Sequence, residues 1–145
     1  NYDVFLSFRS EDVRQNFISH LYQALDGNAI NTYKDIVDLT KGDEISDALV
    51  KAIETSKILI IVLSKNFAGS KWCLDELLKI LDCKDNKTTK QIVLPIFYQV
   101  DPMDVWHQNG SFGKSFDRLK DNAKMLKWKE ALKRVADLSG LSLTN

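Results

Sequence analysis

The chain has 145 residues, 44% of them hydrophobic and 28% charged, the make-up of one globular domain with an ordinary core. Lys plus Arg and Asp plus Glu both total 20, and a formal charge of zero offers no general pull toward nucleic acid or an anionic membrane. No apolar run reaches the roughly 18 residues that a membrane-spanning helix needs. Asn1-Tyr2-Asp3 leads straight into a strand-like run with no leader pattern, so residues 1–145 read as one domain excised from a longer protein.

Tyr2 to Phe8 is short, β-branched and aromatic, and predicts a strand that ends in the polar loop Arg9-Ser10-Glu11-Asp12. A helix follows, with Phe17, Leu21, Ala24 and Leu25 inward and Gly27 near its end. Ile30 to Tyr33 predicts a brief second strand. Lys34 to Gly42 is a polar connection longer than most strand-to-helix loops, and so a candidate functional loop. Ile45, Leu49 and Ile53, with Ala48 and Ala52 beside them, predict the next helix. Ile58 to Leu63 is apolar throughout, the pattern of a strand buried on both faces of a parallel sheet. After Ser64 to Gly69, the leucines at 74, 77, 78 and 81 mark the buried face of a third helix.

Gln91 to Tyr98 is a second strand of the buried kind, although Pro95 argues for an edge position or a bulge. Asp101 to Gly113, rich in turn formers, reads as a loop. The final helix carries Trp128, Leu132, Val135 and Ala136 inward and stops at Ser139-Gly140. Strands alternating with helices predict a doubly wound α/β fold, whose ligands bind at the carboxyl ends of the strands. Cys73 and Cys83, ten apart on one helix, are too distant to bridge. With no CxxC and with His20 and His107 remote in sequence, no metal site is expected. Two reduced thiols suit a cytosolic protein.

Arg9, the Asp35 loop and the Trp72–Glu76 pair all emerge at the carboxyl edge. The residues alone leave two readings of that pair: half-buried packing with a solvated helix charge, or an exposed acid beside an aromatic platform. Several chemistries are excluded. The first strand is not followed by G-x-G-x-x-G, no phosphate-cradling G-x-x-x-x-G-K-[ST] occurs, and no G-x-S-x-G elbow exists. A receiver-type phospho-accepting Asp is missing after Leu63. One carboxylate falls short of a two-acid glycosidase. It suffices where the leaving group departs already activated, as nicotinamide does from NAD.

Tyr2 to Arg9, Phe17 to Tyr22, Trp72 to Leu77, Ile92 to Tyr98, Val100-Asp101-Pro102 and Gly110 to Gly113 occur in an order that resembles a plant Toll/interleukin-receptor (TIR) domain. The resemblance implies a flavodoxin-like three-layer sandwich with a five-stranded parallel sheet flanked by helices. It also implies a cytoplasmic immune signalling domain, with the nucleus as a second compartment, that hydrolyses NAD to nicotinamide and ADP-ribose-type nucleotides when self-associated. NAD is then a substrate, and no separate cofactor is implied. Glu76 takes the family's catalytic position. Phe8, Arg9, Ser70, Trp72 and Asp35 take substrate-binding positions, with Asp35 in the loop that opens or shuts the site. Ser19, His20 and Gly113 take interface positions, the first two facing a helix equated here with the Trp128 helix. Ser10 stands where the family usually has glycine, Lys34 to Asp38 replaces an acidic pair, and Trp106 replaces a basic residue.

Trp106 reads equally as an exposed contact or a packing plug. The rival function is an adaptor that signals by docking onto itself and other TIR domains. Nucleic-acid binding is a weaker third, opposed by the zero net charge.

Overall fold

The computed structural model describes residues 2–9, 17–34, 46–86, 88 and 90–144; Ser10, Asp35 and the rest of the 35–42 loop, and Ile45 lie outside them. In chain order the elements are β1 (Val4–Ser7), α1 (Ser19–Gly27), β2 (Thr32–Lys34), α2 (Asp47–Thr55) and β3 (Ile58–Leu63). A short 3-10 turn, Phe67–Gly69, leads to α3 (Lys71–Asp85). Then come β4 (Ile92–Tyr98), α4 (Pro102–His107), α5 (Gly110–Asp117), α6 (Met125–Ala136) and β5 (Leu141–Leu143).

The five strands form one parallel sheet in the order β2-β1-β3-β4-β5. From β1 the chain first steps outward to β2, then returns across β1 to β3 and continues in that direction. Because parallel crossovers are right-handed, the reversal places α1 on one face and the later helices on the other. The core divides accordingly. Phe5, Leu59, Ile61 and Leu63 pack with Leu49 and Ile53 of α2, Leu74 and Leu77 of α3, and Trp128 and Leu132 of α6. Val4, Leu6, Phe8, Ile60 and Val62 pack on the opposite face with Ile18 and with Leu21 and Leu25 of α1. Alternate residues of β1 therefore face opposite layers, as the period of a strand requires. The α/β sandwich with five parallel strands is as expected. Periodicity does not locate the strand at Leu141–Leu143.

Four local expectations need correction. Ala24, expected inward, is exposed, while Ile18, just ahead of α1, is buried on that face. Pro95 lies inside β4, between two paired neighbours, opposite Ile61 of β3. Pairing with β5 starts only at Ile96, so the missing N–H falls where the outer ladder has not begun. A Cβ on Gly140 would lie 2.2 Å from the Pro95 carbonyl oxygen, so only glycine lets the chain pass there on its way into β5.

The segment 101–113 is two helices, not a loop. Asp101 caps α4 by accepting from the Met103 amide at 2.8 Å, with Pro102 at the first helical position. Trp106 is a packing residue. Half-buried on α4, its ring meets the His107 ring edge-on and lies 5.2 Å from Lys133 Nζ of α6. The Trp128 helix precedes the last strand and packs on the face opposite α1. It cannot be the helix that adjoins Ser19 and His20, because the sheet separates the two.

Candidate functional site

Helix α3 starts where β3 ends. Ser70 caps it, its hydroxyl accepting from the Cys73 amide at 3.2 Å, and is itself buried. Cys73 reaches across to the segment beyond β1, its thiol donating to the Phe8 carbonyl at 3.7 Å. The first turn of α3 is thus held at the carboxyl ends of β1 and β3. In the strand order β2-β1-β3, that is the point where the chain reverses direction, and open α/β sheets bind ligands at such a point.

Glu76 lies one turn into α3 and is 1% exposed. Its Oε1 accepts from the Ser7 hydroxyl at 2.6 Å, 69 positions away in sequence and wholly buried at the end of β1. Its Oε2 accepts from the Trp72 indole N–H at 2.9 Å, four residues earlier on the same helix. The Ser7 bond is within the range of a hydroxyl donating to a carboxylate, the stronger class of hydrogen bond. A carboxylate this deep is tolerable only with such donors on its oxygens. The expectation of an acid exposed beside an indole is overturned. The acid is buried, and the half-buried indole turns its N–H inward onto it. Spacing did place the two on one flank; it did not reveal Ser7.

The other expected site residues fall as follows. Phe8 is buried, and its ring packs with Leu6, Ile18 and Ile60 on the α1 face, so only its carbonyl meets α3. Arg9, half-buried, follows at the same carboxyl edge. Ser70 serves as the helix cap. Asp35 is outside the described residues. Ser19 is half-buried and His20 exposed on the first turn of α1, across the sheet from Glu76. Gly113 is buried where a Cβ would lie 2.1 Å from the Gln108 carbonyl oxygen. It therefore fixes the approach of α5 to the end of α4, and a partner could touch only the surface around it.

Two cavities lined by described residues lie away from Glu76. One, of about 540 Å³, runs between α3 and α6 over Leu78, Leu81, Leu126 and Ala131. The other, of about 490 Å³, sits beside Gln99 to Pro102 and Ser142. Among the described residues no three His, Cys, Asp or Glu side chains are grouped to hold a metal. No helix among them is long and apolar enough to cross a membrane.

A family profile described as the TIR domain matches residues 1–145. The chain is 51% identical over 147 residues to "Disease resistance protein RUN1" of Vitis rotundifolia, covering 98% of this chain and 11% of that protein. It is 47% identical over 145 residues to "TMV resistance protein N" of Nicotiana glutinosa, covering 97% of this chain and 12% of that protein. It therefore spans about a tenth of the length of these relatives. The TIR domains in a structure titled "Structure of the activated Roq1 resistosome directly recognizing the pathogen effector XopQ" superpose with a TM-score of 0.88 at 45% identity, covering 99% of this chain and 88% of that one.

Proposed function

The chain belongs to the TIR domain family, and from that premise we propose that it is a plant immune signalling domain that cleaves NAD once self-associated. The observation that carries this reading is the Glu76 carboxylate, buried at the β1/β3 reversal and held by Ser7 and Trp72. A protein keeps a carboxylate in such a place at a cost in desolvation, which is expected where the group has work to do. In the proposed reaction the bond between nicotinamide nitrogen and ribose C1′ breaks with its electron pair going to nitrogen. Positive charge develops at C1′. Glu76 holds the ribose hydroxyls and offsets that charge, and water then adds to C1′ with loss of a proton. Trp72, half-exposed at the mouth of the site, offers a ring face to a flat base. Arg9 stands at the same edge.

The relatives are named as resistance proteins, and the superposing domains come from an assembled resistosome. Both support a signalling role that depends on association of several copies. His20, exposed on α1, is proposed as an interface residue on the face remote from Glu76, so its loss should weaken self-association and leave the Glu76 hydrogen bonds unchanged.

A second reading is an adaptor that signals by docking onto other TIR domains. Its specific support is that both Glu76 oxygens already accept hydrogen bonds from inside the protein, as in a purely structural buried acid. Following nicotinamide release from NAD at high protein concentration separates the two. Wild type should release nicotinamide, and Glu76→Gln should lose activity on the order of a hundredfold or more. Equal release by both proteins would overturn the catalytic assignment.

A further inference from the structure

We infer that Ser7 and the Trp72 indole form a latch that holds Glu76 in a retracted position, and that a substrate's vicinal diol opens it by replacing their two donors one for one. The inference rests on the proposed role of Glu76 and adds to it the regulation of the same site. Three observations carry it. Glu76 is 1% exposed, so in this position its carboxylate is shut away from any substrate. Its two oxygens are bound separately, Oε1 by the Ser7 O–H and Oε2 by the Trp72 N–H. Two adjacent hydroxyls of a ribose present two donors, enough to replace these two bonds.

The halves of the latch differ in stiffness. Ser7 is wholly buried on β1, in register with Ile61 of the neighbouring strand, and has nowhere to go. Trp72 sits half-exposed in the first turn of α3. Opening is therefore a swing of the Glu76 side chain away from both the Ser7 hydroxyl and the Trp72 N–H. The closed form lowers apparent substrate affinity by the fraction of molecules that are open.

The test compares wild type, Ser7→Ala and Ser7→Thr, the last keeping the hydroxyl on a strand that accepts β-branched residues. Two quantities are read: KM and kcat for nicotinamide release from NAD, and the hydrogen-exchange rate of the Trp72 indole N–H in the folded protein without substrate. Ser7→Ala should lower KM about three- to tenfold with kcat nearly unchanged, and should speed indole exchange by a similar factor. Ser7→Thr should restore both to wild-type values. An unchanged indole exchange in folded Ser7→Ala overturns the latch, as does a KM that is unchanged or raised. If wild type releases no nicotinamide, the NAD-cleaving reading fails on its own, and indole exchange alone then decides whether Ser7 holds Glu76 shut.

Discussion

Asp75 Oδ1 accepts a hydrogen bond from Trp128 Nε1 at 3.1 Å, joining α3 to α6 across 53 positions of sequence. The next residue, Glu76, holds the Trp72 indole, so two consecutive acids each satisfy one tryptophan N–H. Lys124 Nζ lies 3.3 Å from both Asp75 oxygens and closes the same junction. Trp128 is 1% exposed, and removing its acceptor orphans a buried donor. Asp75→Ala should cost about 1–3 kcal/mol, which lowers Tm by roughly 3–9 °C. Asp75→Asn, which keeps an acceptor oxygen, should lose less than half as much in thermal unfolding.

Glu76→Gln should fold with stability within about 1 kcal/mol of wild type. The amide oxygen can accept from Trp72 while its nitrogen donates to Ser7 Oγ, so neither partner is orphaned. Glu76→Ala removes both acceptors and leaves a void, and should cost about 1–3 kcal/mol more than the glutamine variant. Urea unfolding with matched slopes separates the two. A glutamine variant as unstable as the alanine one would contradict the two-donor geometry.

Gly113→Ala should act on the fold before it acts on any interface. The added methyl would meet backbone at 2.1 Å, which the end of α4 cannot yield cheaply. A loss of about 1–3 kcal/mol is expected, visible in the monomer at dilutions where no self-association occurs. If the variant is fully stable but fails to associate, the position is an interface residue in its own right.

Acid should weaken the junction between the ends of α3 and α6. Arg134 binds both Asp85 oxygens, at 2.7 and 3.1 Å, and its guanidinium holds the Asp85 carboxyl below its ordinary value of 3.8. A lowered folded-state value means that the unfolded chain takes up the proton first. The contribution is present above the ordinary carboxylate range and is lost as pH falls through it. Both groups are exposed, so the effect is small and shrinks with salt. Arg134→Ala should flatten the acid limb of a Tm-against-pH curve relative to wild type.

Cys83 behaves in the opposite sense. Burial raises its thiol above the ordinary value of 9.0, with the nearby Lys79 pulling back only in part. The folded protein keeps the proton longer than the unfolded chain, so stability falls as pH rises through the ordinary thiol range. Alkylation of native protein at pH 8 should be slower at Cys83 than that of a free thiol, and should speed up on unfolding. A burst of native labelling at Cys83 would count against the buried, neutral thiol.

Patterns of period two and near four in the sequence were enough to read β1, β3, β4, α3 and α6 and to set the α/β architecture. They failed where structure depends on partners far away in the chain. β5 has three residues, two of them exposed, and its form comes from pairing with Ile96 to Tyr98. Turn formers abound in α4 and α5 and give the segment the pattern of a loop, although Asp101-Pro102 is itself a helix-start signal. Trp72 and Glu76 were placed together by helical spacing alone. The burial of Glu76 was not legible, since it is set by Ser7 on a strand at the other end of the sequence. The resemblance implies a catalytic role for Glu76, and the sheet rules out its equation of the Trp128 helix with the helix beside α1.

The outermost strand gives the sheet an uneven grain. β3 pairs with β4 over six residues and with β1 over four, whereas β5 hangs on three register pairs beyond the close passage at Gly140. Breathing motions should therefore begin at that margin, with the Gln99 amide, bonded to the Leu143 carbonyl at 2.7 Å, exchanging its proton long before those of the middle strands. The rim at Ser7 and Glu76, three strands inward from β5, would keep its shape while the border loosens.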